Sequence, residues 1–338
     1  MVQFPYDKEQ ILKPKHIGIL LGVLYGASFR LFFMWLVSAI DADLNAGVGW
    51  LVSISFLCGV PFAIGYIRIH FELQQNPSLP RKRMIIVAWQ PIFIFLLAAF
   101  VTFIEGTICI ALALPAFMLL SSLGGLLAGW VHRVMFQRKN GTLLSVAVLP
   151  VVIWPLEIQL PSMSQTYQVH NEIVIDAPAD VIWRQLASVT VIEDGELPLS
   201  FNQLIGVPRP VEARMDASGV GAVRTSYWEK GVVFKEVITG WETNQRMAYD
   251  FDIDPEKIPD EALDPHVKLG GEYFSPLNGE YRISENSQGE TVLHLQTTLV
   301  DNTNFGWYSR LWGEIIFRDF HRSLLVLMKN RAEAAASA

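Results

Sequence analysis

The chain has 338 residues, 51% hydrophobic and 17% charged, with a formal net charge of −7. That charge is unevenly placed: residues 1–159 carry net +4 and residues 160–338 net −11, which predicts two domains in two solvents. The acidic half is a poor candidate for binding nucleic acid, because phosphate contacts need clustered Lys and Arg. The two cysteines, Cys58 and Cys109, both lie in apolar runs and give neither a disulfide framework nor zinc spacing.

Five apolar segments fill residues 1–160: His16–Ile40, Gly47–Ile69, Met84–Ile104, Ile108–Trp130 and Thr142–Ile158. About 20 residues cross the hydrocarbon core, so the first four are long enough. The fifth is shorter and holds Pro150 and Pro155; it either crosses or lies at the interface. An all-α transmembrane bundle of about five helices is expected. Basic residues mark alternate ends: Lys8, Lys13 and Lys15 first, then Arg68, Arg81, Lys82 and Arg83, then Arg133, Arg138 and Lys139. The intervening connections carry Asp41, Asp43 and Glu105 instead. By the positive-inside rule the N-terminus is cytoplasmic. If the fifth segment crosses, the acidic half faces the periplasm of a bacterial inner membrane; if it does not, that half is cytoplasmic. Gly18, Gly22 and Gly26 form a small-residue stripe that suits either homo-oligomer contacts or packing within the bundle. Arg30, the one mid-span charge, either snorkels, pairs with Glu105 or has a function.

Residues 161–168 are expected to be a polar linker. Beyond it, Val169–Ile175 alternates as a strand and runs into Asp176-Ala177-Pro178, where Pro178 and Asp180 suit the start of a helix. A short helix is expected near Phe201–Ile205. Strands follow at Val211–Met215, Ala222–Trp228, Val232–Trp241, Arg246–Ile253, Gly279–Ser284 and Thr291–Val300, punctuated by turn residues. The stretch Asp254–His266 has no periodicity and is read as a long loop. From Gly306 to Glu333 a heavy apolar stripe, including Leu311, Trp312, Ile315, Phe320, Leu324 and Met328, predicts a long amphipathic helix. Residues 334–338 are left as a tail. An antiparallel sheet with one apolar face can bury that stripe, which gives an α+β helix-grip domain with a curved sheet.

The order of these elements is similar to the START-like superfamily, also called SRPBCC or polyketide cyclase/dehydrase and lipid-transport-like. The segments that carry the resemblance are "IVIDAPADVIWRQLA", "GVGAVRTSYWEKGVVFKEVITGWE" and "YSRLWGEIIFRDFHRSLLVLMKNRAE". It covers residues 169–333 and none of the first half. The resemblance implies a cavity between sheet and long helix for a hydrophobic ligand such as a lipid, sterol, quinone or polyketide. It implies no shared catalytic set and no cofactor.

Candidate site residues come from strand alternation. Centring a hairpin on Lys230 puts Arg224 opposite Glu236, Ser226 opposite Phe234 and Trp228 opposite Val232, all on one face. If that face lines the cup, Arg224 and Glu236 form an ion pair among aromatics that could hold a polar head group. The alternatives are a structural pair or a pair on the solvated face. Trp228, Phe234, Tyr281 and Trp312 are the aromatic candidates for the wall, with His266 and Tyr273 at the mouth. His266, His294 and His321 are the acid–base candidates, but they stand singly and no metal site is assigned. The expected function is binding of an apolar small molecule by a cup held at the bilayer. An enzyme acting on such a molecule, or a membrane sensor or assembly factor, is the alternative.

Overall fold

A computed structural model describes residues 14–40, 54–134, 139–157, 159, 164–259, 261–263, 268–271 and 273–338. His266 therefore lies outside the described residues, as do Lys8, Lys13, Asp41, Asp43 and Arg138. The chain falls into two compact units, one of residues up to Pro161 and the other almost wholly of residues from Ser162 onward, with Gly106–Cys109 grouped in the second.

The first unit is helical: α1 (Pro14–Ile40), α2 (Val60–Gln75) entered through a π-helical turn at Ser55–Gly59, α3 (Arg81–Val101), α4 (Thr107–Val134) and α5 (Lys139–Glu157). Among the described residues, three stretches, Ser55–Gln75, Arg81–Val101 and Thr107–Val134, are long and apolar enough to cross a membrane. A β-carbon on Gly18 would press on Phe71, on Gly22 on Pro91, and on Gly26 on Ile64 and Phe95. The glycine stripe thus lets α1 lie close against α2 and α3 of its own chain, and all three glycines are buried there. Arg30 pairs with Glu105 at 2.6 Å, both side chains largely buried. A charge in the bundle thereby meets its opposite near a helix end, which removes most of the cost of burying it alone.

Helix α5 runs antiparallel to the entry turn and first half of α2. Val146 shares a cluster with Ala63 and Tyr66, and Pro150 lies against Gly59. Further on, the Ser55 hydroxyl donates to the Pro150 carbonyl at 2.6 Å. At the far end the Glu157 carboxylate accepts the backbone N–H groups of Ile54 and Ser55 at 2.6 and 2.9 Å. A carboxylate from another helix thus satisfies two backbone donors at the entry to the π-helical turn.

The second unit contains β1 (Gln165–Ile175), α6 (Ala179–Ala187), α7 (Phe201–Leu204), β2 (Pro210–Met215), β3 (Val223–Trp228), β4 (Val233–Glu242), β5 (Arg246–Asp252), β6 (Phe274–Glu285), β7 (Thr291–Asp301) and α8 (Gly306–Ala336). The strands form one antiparallel sheet in the order β1-β7-β6-β5-β4-β3-β2. Register shifts at Pro210/Glu212, Ile238/Gly240 and Pro276/Asn278 interrupt the ladders, and such bulges bend a sheet and increase its twist. Three expected boundaries move. β6, expected at Gly279–Ser284, begins five residues earlier at Phe274. β1 starts at Gln165, so half of the expected linker is strand, paired with Asp301 at its first residue. α8 continues through Ala336, leaving only the last two residues of the expected tail outside it.

Helix α8 packs on β1 and β7, with α6 and α7 beside it. Its approach depends on Gly313: a side chain there would run into the Tyr167 hydroxyl of β1. The main core joins Ile182 and Leu186 of α6, Ile238, Met247, Leu293 and Leu295 of the sheet, and Leu325, Leu327 and Met328 of α8. Polar contacts fix the helix at its middle and at its C-terminal end. Asp319 accepts the Asn202 N–H of α7 at 2.8 Å. Glu333 accepts the Asp176 N–H at 2.9 Å, and Arg331 pairs with Glu196 at 2.7 Å.

Candidate functional site

The β3–β4 hairpin has the expected register. Arg224 lies opposite Glu236 and Ser226 opposite Phe234, and the Trp228 N–H donates to the Val232 carbonyl at 2.9 Å. The turn at Glu229–Gly231 places Lys230 at φ 55°, the left-handed conformation a tight reversal requires. Alternation then sends Arg224, Ser226, Phe234 and Glu236 inward while Lys235 points out.

These inward residues line a cavity of about 50 Å³ between the sheet and α8. The sheet supplies Arg224, Trp228, Phe234, Glu236, Tyr249 and Tyr281. The opposite wall is Phe320, Leu324 and Met328 of α8. A cavity needs roughly 10–15 Å³ of such volume per water, so this one admits a few waters or a small polar group. Arg224 is 3% and Glu236 5% exposed, and they pair at 2.5 Å. Arg224 also donates to the Leu186 carbonyl at 2.8 Å, tying the pair to α6. Its guanidinium lies 5.2 Å from the ring centre of Tyr249 and 5.5 Å from that of Tyr281, where the negative ring faces favour a cation.

Burial opposes charge on Arg224, but Glu236 and the two tyrosines outweigh it and hold its pKa above the ordinary value. Burial pushes the Glu236 carboxyl up, with Arg224 pulling the other way. The Tyr249 and Tyr281 phenols are likewise raised by burial. The site is thus a fixed cation with its counter-ion under aromatic walls. Trp228 is a residue of the lining, and its indole N–H is buried with no hydrogen-bond partner among the described residues. Such a group in a native fold calls for an explanation.

Five of the six expected ligand-binding residues, Arg224, Trp228, Phe234, Glu236 and Tyr281, meet at this cavity. Trp312 does not. It stacks on Phe201 of α7, ring centres 6.1 Å apart, outside the cavity lining. Eight residues along a helix carry a side chain about 12 Å up the axis and 80° around it from Phe320, which turns Trp312 toward α7. Tyr273, placed at the mouth from sequence, is not among the lining residues either. His321 is fully buried beside the cavity, its Nε2 2.8 Å from the Thr297 hydroxyl. Burial, with His170 and Arg318 adding to it, lowers its pKa to about 3. His294 points to the other face of the sheet. Tyr249 and Phe251 were not singled out, although the inward positions of β5 alternate from Met247 through both.

No family model matches the chain, and no curated protein matches it. Solved structures similar to it include a protein of unknown function from Staphylococcus aureus, 11% identical, covering 52% of this chain and 99% of that one with a TM-score of 0.34. The Zhui aromatase/cyclase from Streptomyces sp. R1128 is 15% identical, covering 50% of this chain and 94% of that one, at a TM-score of 0.33. A truncated norcoclaurine synthase from Thalictrum flavum is 14% identical over 52% of this chain and 96% of its own, at a TM-score of 0.31.

Proposed function

We propose that the second unit binds an apolar small molecule carrying a hydrogen-bonding oxygen, such as a lipid or a quinone, and that the helical unit holds it at a bilayer where such molecules concentrate. The observation that carries this reading is the buried Arg224–Glu236 pair in an aromatic-walled cavity, with the Trp228 indole N–H unpaired beside it. An oxygen at that position would complete the donor, and its apolar body would rest on Phe234, Phe320 and Leu324. The cavity is far below the roughly 300–1,000 Å³ usual for ligand sites. Binding therefore involves displacement of the α8 wall, and the three residues that must move are the apolar Phe320, Leu324 and Met328. Native mass spectrometry of a fragment spanning residues 164–338, after incubation with liposomes and with quinone-loaded liposomes, is expected to show one bound molecule per chain. A well-folded fragment that stays empty with both would sink the reading.

The enzyme alternative has one supporting observation, the Glu236 carboxyl raised by burial, since perturbed carboxyls serve as general acids. Conversion of the bound molecule during the same incubation, read by its mass, would favour that alternative over simple binding.

For the orientation, we propose that all five helices cross and that the second unit lies on the non-cytoplasmic side. The support is the antiparallel run of α5 against the segment that leads into α2, which brings Glu157 onto the backbone N–H groups of Ile54 and Ser55. Reporter tags inserted after residue 141 and after residue 338 are expected on opposite sides of the membrane. Both tags on the same side would defeat the arrangement.

A further inference from the structure

The outer face of the sheet, opposite the cavity, carries a second cluster. β1 pairs with β7 so that Glu172 lies directly opposite His294, and His170, two residues along β1, shares their face. The imidazoles of His170 and His294 stack with centres 5.5 Å apart and planes 25° apart. His294 Nδ1 lies 3.0 Å from the Glu172 carboxylate. One ligand atom from each of the three residues falls within 4.8 Å of the others. The opposite ring nitrogen, His294 Nε2, is 2.8 Å from the Ser284 hydroxyl on β6.

We propose that His170, Glu172 and His294 form a binding site for a divalent late-transition-metal ion, with Zn²⁺ the reference ion. Two imidazole nitrogens and one carboxylate oxygen are the donor set of zinc sites that keep an open position. Magnesium and calcium prefer all-oxygen shells, so the two nitrogens select against them. Zinc–ligand bonds of about 2.0–2.2 Å put tetrahedral donors about 3.4 Å apart, so donors now within 4.8 Å of one another close by up to about 1.4 Å through side-chain rotation, while His294 Nδ1 and the Glu172 carboxylate, at 3.0 Å, part slightly. Ser284 supplies the outer support: with Nε2–H donating to its hydroxyl, the Nδ1 lone pair of His294 faces Glu172 and His170, where an ion would sit. Metal-bound histidines are usually oriented in this way by their second nitrogen. His170 and Glu172 are exposed and His294 is half-buried, so water can fill the remaining coordination positions.

The test uses the untagged full chain in detergent, stripped with chelator and titrated with Zn²⁺ against a chromophoric competitor. A parallel titration with Co²⁺ reads the ligand-field bands of a nitrogen-ligated ion. One equivalent of Zn²⁺ per chain is expected. His170→Ala, His294→Ala and Glu172→Gln should each abolish that equivalent and the cobalt bands, and Ser284→Ala should weaken binding by about 10- to 100-fold. Gln296→Ala, on the same outer face, should leave it unchanged. Melting curves of the metal-free variants establish that each is folded. Absence of stoichiometric Zn²⁺ binding overturns the proposal, and so does binding that survives His170→Ala or Glu172→Gln.

Discussion

Arg224→Ala is expected to destabilise the second unit by about 3–5 kcal/mol, the usual cost of leaving a buried charge without its partner. Glu236 would remain 5% exposed with its counter-ion gone, and the Leu186 carbonyl would lose its donor. Hydrogen exchange of β3–β5 peptides in the full chain reads that loss directly. The informative companion is the double variant Arg224→Met, Glu236→Leu. Replacing a buried pair by apolar residues of similar volume is often neutral or stabilising by about 1–4 kcal/mol. The double variant is thus expected to recover the protection lost by Arg224→Ala, yet to bind no ligand. Recovery of protection with ligand binding intact would show that the pair serves the fold alone.

Acid is expected to weaken the same unit through His321. The folded state holds this imidazole near 3, against 6.5 for the free side chain. As pH falls below about 6.5 the unfolded chain takes up a proton that the folded chain refuses, so stability present above that pH is lost on the way down. The slope is about 1.4 kcal/mol per pH unit, accumulating to roughly 4–5 kcal/mol by pH 3. Glu196, Glu229, Glu280 and Glu333, all with lowered pKa values from their arginine, lysine or backbone partners, lose stability in acid as well. The contribution of His321 is therefore the difference from His321→Gln, whose amide can still bond the Thr297 hydroxyl. Exchange of β7 and α8 peptides between pH 7 and 4 should rise less steeply in that variant. Equal acid slopes in the two proteins would contradict the assignment.

Local patterns carried the parts of this molecule that depend on near neighbours. The "EKG" turn fixed the pairing of Arg224 with Glu236, because side chains alternate and the hairpin leaves one register. Which face was buried could not follow from the hairpin alone, and the structure settles it inward. The helix stripe was equally plain, but a stripe does not say which of its turns meets the cavity. Trp312 was chosen for its chemistry, and its height along the axis placed it over Phe201. The cluster of His170, Glu172 and His294 was out of reach for a different reason. His170 and Glu172 show as H-x-E on one strand, but their partner lies more than 120 residues on, and nothing in the sequence says that the first strand of the unit pairs with its last. The small volume of the cavity was also beyond sequence, since it depends on how Phe320, Leu324 and Met328 interlock with the sheet.

That pairing of first strand with last governs how the unit can be made. During synthesis β1 emerges directly after the apolar helices, but its partner β7 ends only at Asp301, and the helix that covers both runs to Ala336. Until then the backbone of an eleven-residue strand has no ladder to join. An unpaired strand edge is a template for association with other chains, and long-range pairings of this kind form slowly. Chains that stop short of β7 would expose that edge permanently, so nonsense products and late proteolytic clips should be sticky where full-length chains are not.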